Sequence, residues 1–191
     1  AGLGLTSATI SAHKLGGPLG VGALILKRGL DITPLLHGGG QERDIRSSTV
    51  NAPGIISFAT SVDQSLMNLR ENFFRVENLA DQLRLGIQKA VPESIINGRT
   101  GNNLPGIVNV TFPGTKNETL LVLLDMAGIS ASQGSACSAG VQRPSHVLLA
   151  MGISETSADA TIRFSLGSTT TEAEITTVCD LIAAIAEKAR V

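Results

Sequence analysis

Ser11-Ala12-His13-Lys14-Leu15-Gly16-Gly17-Pro18-Leu19-Gly20-Val21-Gly22 is the stretch on which the reading of this chain turns. It sets a histidine and a lysine side by side, after an apolar segment from Leu3 to Ile10 and before a glycine-rich bend that leads into the run Val21 to Leu26. A lysine beside a turn is ordinarily a solvated loop charge. Here its neighbours are chemically pointed: Ser11 and His13 supply hydroxyl and imidazole donors, and Gly16, Gly17, Gly20 and Gly22 let backbone approach an anion closely. A lysine that is partly desolvated or set among other cations loses its proton more readily, and the free amine can form a Schiff base. Lys14 is therefore a candidate covalent anchor for an aldehyde cofactor.

Outward from that stretch, Val21 to Leu26 is a continuous apolar run, which predicts a strand buried on both faces. His37-Gly38-Gly39-Gly40 opens a loop that runs to Thr49, because successive glycines are too costly to order in a regular element. From Pro53 the apolar positions Ile55, Phe58, Ala59, Val62, Leu66, Leu69, Phe73, Val76, Leu79, Ala80, Leu83 and Ile87 recur at helical spacing and predict one long helix. Its charged positions, among them Arg75, Asp81 and Arg84, read as a solvated face. Asn97-Gly98 to Asn103 reads as a loop, Val108-Asn109-Val110-Thr111-Phe112 as a strand with one face covered, and Glu118 to Met126 as a buried helix ending near Gly128. A short helix is expected from Pro144 to Met151 and a strand from Thr161 to Gly167. Thr171-Glu172-Ala173-Glu174 is a capping box that opens a closing helix.

Two further positions carry chemistry. Ser130, Ser132, Gly134, Ser135, Ser138 and Gly140 surround Cys137 with small residues, as in an adaptable loop, whereas Cys179 sits among Val178, Leu181 and Ile182 and reads as a small packed hydrophobe. In the strand Thr161 to Gly167, Ile162, Phe164 and Leu166 share one face and Arg163 and Ser165 the other, which aims the guanidinium away from the apolar side. By itself Arg163 reads as a surface salt bridge.

Bulk properties exclude several classes. A net charge of −1 with a sequence pI near 6.3, and no lysine or arginine block, argues against nucleic acid and against anionic membranes. No apolar run reaches the roughly 18 residues of a membrane span, and the first residues lack the charged region of a signal peptide, so a cytoplasmic location is the expectation. The two cysteines offer no disulfide framework, and His13, His37 and His146 have no metal-ligand spacing. The chain has 191 residues, starts without methionine and begins within a predicted strand, which reads as a piece of something longer.

Five ordered motifs carry a family resemblance: Ser11-Ala12-His13-Lys14 with Gly17-Pro18-Leu19-Gly20-Val21-Gly22; His37-Gly38-Gly39-Gly40-Gln41-Glu42-Arg43; Arg46-Ser47-Ser48-Thr49; Gly134-Ser135-Ala136-Cys137; and Ile162-Arg163-Phe164-Ser165-Leu166-Gly167. Together they resemble the cysteine desulfurases of the class V aminotransferase superfamily, over about the C-terminal half of that family's polypeptide. The fold implied is α/β, the pyridoxal-phosphate-dependent transferase fold type I. Residues 1–52 would complete the large cofactor domain with an interface loop at 37–49, residues 53–92 would form an interdomain helix, and residues 93–191 a small α+β domain.

The resemblance implies pyridoxal 5'-phosphate as cofactor, with Lys14 as its Schiff-base lysine and Ser11 and His13 as phosphate ligands. His13 is also a candidate for proton work. Thr49 would reach the cofactor phosphate of the partner subunit in a homodimer, with Arg46 assisting, and Arg163 would hold the α-carboxylate of L-cysteine. Cys137, as thiolate, would take the sulfur as a persulfide and release L-alanine. Gly134 to Ser138 resembles the long-loop branch, which serves iron–sulfur cluster assembly and tRNA thiolation; the Arg-x-Gly-His-His-Cys segment of the other branch is absent. Sulfur would then pass to a scaffold or other acceptor protein, with Cys137 as a possible transient iron-site ligand.

The sequence departs from the family in what it lacks: the ring-stacking histidine, the acidic partner of the ring nitrogen, the glutamine to the phenolic oxygen and the phosphate loop. The isolated chain is expected to hold cofactor weakly and to be inactive alone. Two alternatives stand beside the desulfurase reading: another class V enzyme, which would need Lys14 and Arg163 but not Cys137, and an inactive truncated module for dimerisation or sulfur transfer.

Overall fold

The computed structural model describes residues 4–98, 103–134 and 144–191. They fall into two compact units, Ala1–Leu69 and Arg70–Val191.

In the first unit, strands β1 (Ser7–Ser11) and β2 (Gly22–Leu26) pair antiparallel from Ser7↔Leu26 to Ser11↔Gly22. A 3-10 turn at Ala12–Leu15 and the glycine bend connect them, and helix α1 (Ala52–Met67) follows the long loop. Asn51 caps α1 by accepting from the Gly54 amide at 3.1 Å. The expectation of a strand buried on both faces is overturned: in β2, Leu24 is 48% and Ile25 53% exposed. Among the described residues no further strand pairs with this two-stranded ribbon, and apolar composition does not bury a side chain without a surface to pack on.

The single long helix is likewise corrected. Helix α1 ends at Met67 with Asn68 as its cap residue, and helix α2 (Leu69–Ala90) begins immediately after. The apolar stripe runs on in sequence, but Leu66, Met67 and Leu69 are all exposed, so packing does not hold the helix together there. Asparagine, which competes for its own backbone, ends it.

The second unit is built on a three-stranded antiparallel sheet in the order β3–β4–β5: β3 (Ile95–Asn97), β4 (Ile107–Thr111) and β5 (Thr161–Ser165). The segment read as a loop from Asn97 thus begins inside a strand. Val108 and Val110 of β4 and Ile162 and Phe164 of β5 form the inner face. Onto it pack Leu79, Leu83 and Ile87 of α2, Leu120 and Leu124 of α3 (Asn117–Met126), and Ile175, Val178, Ile182 and Ile185 of α6 (Glu172–Lys188). Side chains fully buried in this way contribute roughly 1.5–3 kcal/mol each. Short helices α4 (His146–Ala150) and α5 (Glu155–Ala158) precede β5. No helix among the described residues is long and apolar enough to cross a membrane.

Two arginines read as solvated are structural. Arg75 donates to the carbonyls of Thr170 (2.7 Å), Ser168 (2.5 Å) and Gly167 (3.4 Å), tying α2 to the turn before α6. Arg84, 5% exposed, donates to Asp81 (2.9 Å) and to the carbonyl of Ile107 (3.0 Å), anchoring the start of β4. The planar fork of arginine reaches several oxygens at once, which a helical-wheel reading does not foresee.

The capping box forms: Glu174 N–H donates to Thr171 Oγ1 at 3.3 Å, and Thr171 N–H to Glu174 Oε2 at 2.7 Å. The Thr171 amide, and next its hydroxyl, hold the Glu174 carboxyl below its ordinary value of 4.5. A depressed folded-state value means that the contribution is present above the ordinary carboxyl range and lost as pH falls through the lowered one. Acidification should therefore lower the amide protection factors in the first turn of α6, beyond the intrinsic change of exchange with pH, and Glu174→Gln should remove that loss. At Gly86 a Cβ would lie 2.2 Å from Cys179 Sγ. An alanine there, though better for the helix by about 1 kcal/mol, should lower stability by a net of about 1–3 kcal/mol. The urea midpoint should fall at unchanged slope, and the double variant with Cys179→Ala should recover most of the loss.

Candidate functional site

The Lys14 turn owes its shape to backbone bonds at both ends. Ala12 N–H donates to the Val21 carbonyl at 3.0 Å, and Gly17 N–H to the Ala12 carbonyl at 2.9 Å, while Gly16 at φ 75° ends the 3-10 turn. Ala12 is fully buried, which turns Ser11, His13 and Lys14 outward, and all three are exposed. A Cβ on Gly17 would lie 2.8 Å from Ser61 Oγ of α1 and 3.0 Å from the Ala12 carbonyl oxygen, so glycine is what lets the turn sit against that helix. The side chains of Ser11, His13 and Lys14 have no hydrogen bond or ion pair with any described residue. Three donors of the right kind thus share one turn with none of them spent internally.

The loop from His37 to Thr49 is tied down. Ser47 N–H donates to the Leu36 carbonyl at 3.2 Å, and Ser48 N–H to Gln41 Oε1 at 3.1 Å; Ser47 is 4% exposed. Arg46 spends a guanidinium N–H on the carbonyl of Ser47 at 3.2 Å. Thr49 is exposed. Glu42 (φ 50°), Arg43 (φ 58°) and Asp44 (φ 61°) form a run of left-handed backbone, and Ser48 stands at φ 109°. Side chains in this region cost roughly 1–2 kcal/mol each, so the loop stores strain.

Arg163 is the middle residue of β5 and faces away from the core, as its strand parity requires. On one side it pairs with Asn109 of β4; on the other it exchanges both backbone hydrogen bonds with Ser132, at 2.8 and 3.0 Å. Its Nε is buried without a partner among the described residues, and so is Gln133 Oε1. Cys137 lies outside the described residues, but Ser132, in the segment that leads to it, is pinned to Arg163. Cys179 is half-buried, and burial, with the Asp180 charge second, pushes its thiol up, which suits a packing role. Among the described residues no group of three or more His, Cys, Asp or Glu could hold a metal ion.

The polar side of the sheet was missed in the sequence. Asn97 donates to Asn109 Oδ1 at 2.9 Å and to Thr111 Oγ1 at 2.8 Å, and Thr111 and Thr161 share a 2.7 Å hydrogen bond. The signal available was the alternation of Asn109 and Thr111 with valines, which marks a face without saying that its members bond each other.

Comparison with known proteins bears on this arrangement. A family model described as Aminotransferase class-V matches residues 3–178. The chain is 42% identical over 188 residues to an IscS-like cysteine desulfurase of Mycobacterium tuberculosis, covering 98% of this chain and 48% of that protein. It is 43% identical over 167 residues to the cysteine desulfurase NifS of Azotobacter vinelandii, covering 87% of this chain and 42% of that one. Among solved structures, a NifS-like protein from Rickettsia africae superposes with a TM-score of 0.85 at 34% identity, over 96% of this chain and 48% of that one. The chain thus spans about half the length of the relatives it matches.

Asp44→Gly and Ser48→Gly should relieve backbone strain in the loop from His37 to Thr49. Each is expected to slow amide exchange at Ile45 and Ser47 by about fivefold, the equivalent of roughly 1 kcal/mol of local stability.

Proposed function

Because this chain belongs to the class V aminotransferase family, we propose that it is the lysine-bearing half of a cysteine desulfurase, converting L-cysteine to L-alanine with sulfur held as a persulfide on Cys137. The observation that carries this reading beyond the family is the two-way backbone bond between Ser132 and Arg163, which joins the segment leading to the thiol to the residue suited to hold a substrate carboxylate.

The donor set of the Lys14 turn fits pyridoxal 5'-phosphate: a hydroxyl, an imidazole and an amine, all exposed and unspent. Ser11 and His13 would hold the phosphate, Lys14 would anchor the aldehyde carbon, and Thr49 of a partner subunit would add a phosphate ligand across a homodimer, beside Arg46. When bound, the cofactor supplies the electron sink that labilises bonds at the substrate's α and β carbons.

The chain's own groups do the rest. The Arg163 guanidinium holds the α-carboxylate and fixes which end of the amino acid enters. The Lys14 amine, once free, takes and returns a proton at the α carbon. His13, in the same turn and exposed, would assist in proton transfer. The Cys137 thiolate attacks the substrate sulfur; an S–S bond forms as the carbon–sulfur bond breaks, and the electron pair left on carbon takes a proton to give alanine. Sulfur moves as a neutral atom, so no outside oxidant is required. The persulfide would then serve a sulfur-accepting protein of iron–sulfur assembly or RNA thiolation in the cytoplasm.

The test is sulfide release from L-cysteine with dithiothreitol, using this chain joined to the amino-terminal half of a relative. Lys14→Ala should abolish turnover, Cys137→Ala should lower it more than about 100-fold, and Arg163→Ala should act mainly by raising KM for cysteine. Full turnover in Cys137→Ala would instead assign the chain to another class V reaction.

A further inference from the structure

The polar face of the second unit's sheet carries a row of four residues in direct cross-strand register: Asn97 of β3, Asn109 of β4, Arg163 of β5 and Ser132 beyond it. Directly paired residues project to the same side, so this is one line of side chains.

Hydrogen bonding along that line has a fixed direction. Thr161 Oγ1 lies 2.6 Å from the Ser157 carbonyl oxygen, which can only accept, so the one hydroxyl proton of Thr161 is spent there. In the 2.7 Å contact between Thr111 and Thr161, Thr111 must then be the donor. Thr111 consequently accepts from Asn97 Nδ2 at 2.8 Å, and this sets the orientation of the Asn97 amide. The other proton of Asn97 Nδ2 goes to Asn109 Oδ1 at 2.9 Å. One lone pair of Asn109 Oδ1 is thereby used and its amide orientation set, with Nδ2–H₂ left as a donor that has no partner among the described residues.

The next residue on the row is Arg163, whose Nε–H is buried and unpartnered. Both backbone groups of Arg163 are spent on Ser132, so its pairing with Asn109 on the opposite edge is of the non-hydrogen-bonded kind, with Cα atoms about 4.5 Å apart and side chains at their closest. Two uncommitted donors therefore stand side by side. Neither can satisfy the other; an oxygen with free lone pairs can satisfy both.

We propose that Asn109 is a second carboxylate ligand, donating from Nδ2 to the same substrate carboxylate that Arg163 holds. The inference rests on the reading of Arg163 given under Proposed function and deepens it: the site takes an α-amino acid by a neutral amide together with a guanidinium, and the amide's polarity is set through Asn97, Thr111 and Thr161 by the Ser157 carbonyl. A carboxylate suits this pair because its two oxygens accept about four hydrogen bonds between them. Asn109→Asp should close the site, since the new carboxylate would pair with Arg163 itself.

The experiment is a titration of the ¹⁵N-labelled 191-residue chain with sodium acetate at constant ionic strength, following the Arg163 Nε–Hε and Asn109 Nδ2–H₂ signals. Both should move with one midpoint. Asn109→Leu should weaken acetate binding at Arg163 by about tenfold, the worth of one hydrogen bond to a charged group, and Asn109→Asp should abolish it. Unchanged amide shifts in α3 and α6, away from the substitution, verify the fold of each variant. Movement at Arg163 alone, with Asn109→Leu binding acetate as well as the unsubstituted chain, overturns the role of Asn109 and leaves the Arg163 reading standing. Movement of neither signal overturns both.

Discussion

The pairing of β4 with β5 in the register Asn109↔Arg163 is the constraint on which the second unit depends. Side chains alternate across a strand, so a slip of one residue would put Arg163 among Leu79, Leu83 and Ile182 and turn Ile162 and Phe164 out to water. The core thus enforces the position of the guanidinium: burying the valines of β4 and the Ile-Phe pair of β5 on one side leaves the other side to polar groups. Ser132 then adds to the free edge of β5 at the same residue.

The two units differ in how they are held. In the second, one continuous cluster joins three helices to the sheet. In the first, Ala12 and Phe58 are the buried apolar residues among those described, while Leu24, Ile25, Leu35 and Ile56 stand exposed. Hydrophobic stabilisation scales with area removed from water, so within this chain the apolar burial is concentrated in the second unit. Its shape rests on backbone hydrogen bonds, a helix cap and the close approach permitted at Gly17.

What the sequence disclosed follows from the range of the forces involved. Elements set by local signals were legible: the capping box at Thr171 and Glu174, the arrest of α3 near Gly128, the strand parity of Arg163 and the Lys14 turn. Features set by distant contacts were not. Whether Val21 to Leu26 is covered depends on what lies over it, and whether Arg75 and Arg84 meet solvent or carbonyls depends on loops more than twenty residues away. The break at Asn68 belongs to the same class, because periodicity records where apolar residues stand and not whether anything packs on them. The threonine and asparagine ladder was half legible, as a polar face without its wiring.

That wiring has a consequence for how the site would respond to its surroundings. Ser157, Thr161, Thr111, Asn97 and Asn109 contribute a peptide carbonyl, two alcohols and two carboxamides, none of which ionises in the range where proteins stay folded. A relay built from histidine or a carboxylate would reverse its sense somewhere between mild acid and mild alkali. This one keeps a single polarity throughout, so acidity can alter the chemistry of a thiol or an amine elsewhere in the protein without changing which way the Asn109 amide presents its protons.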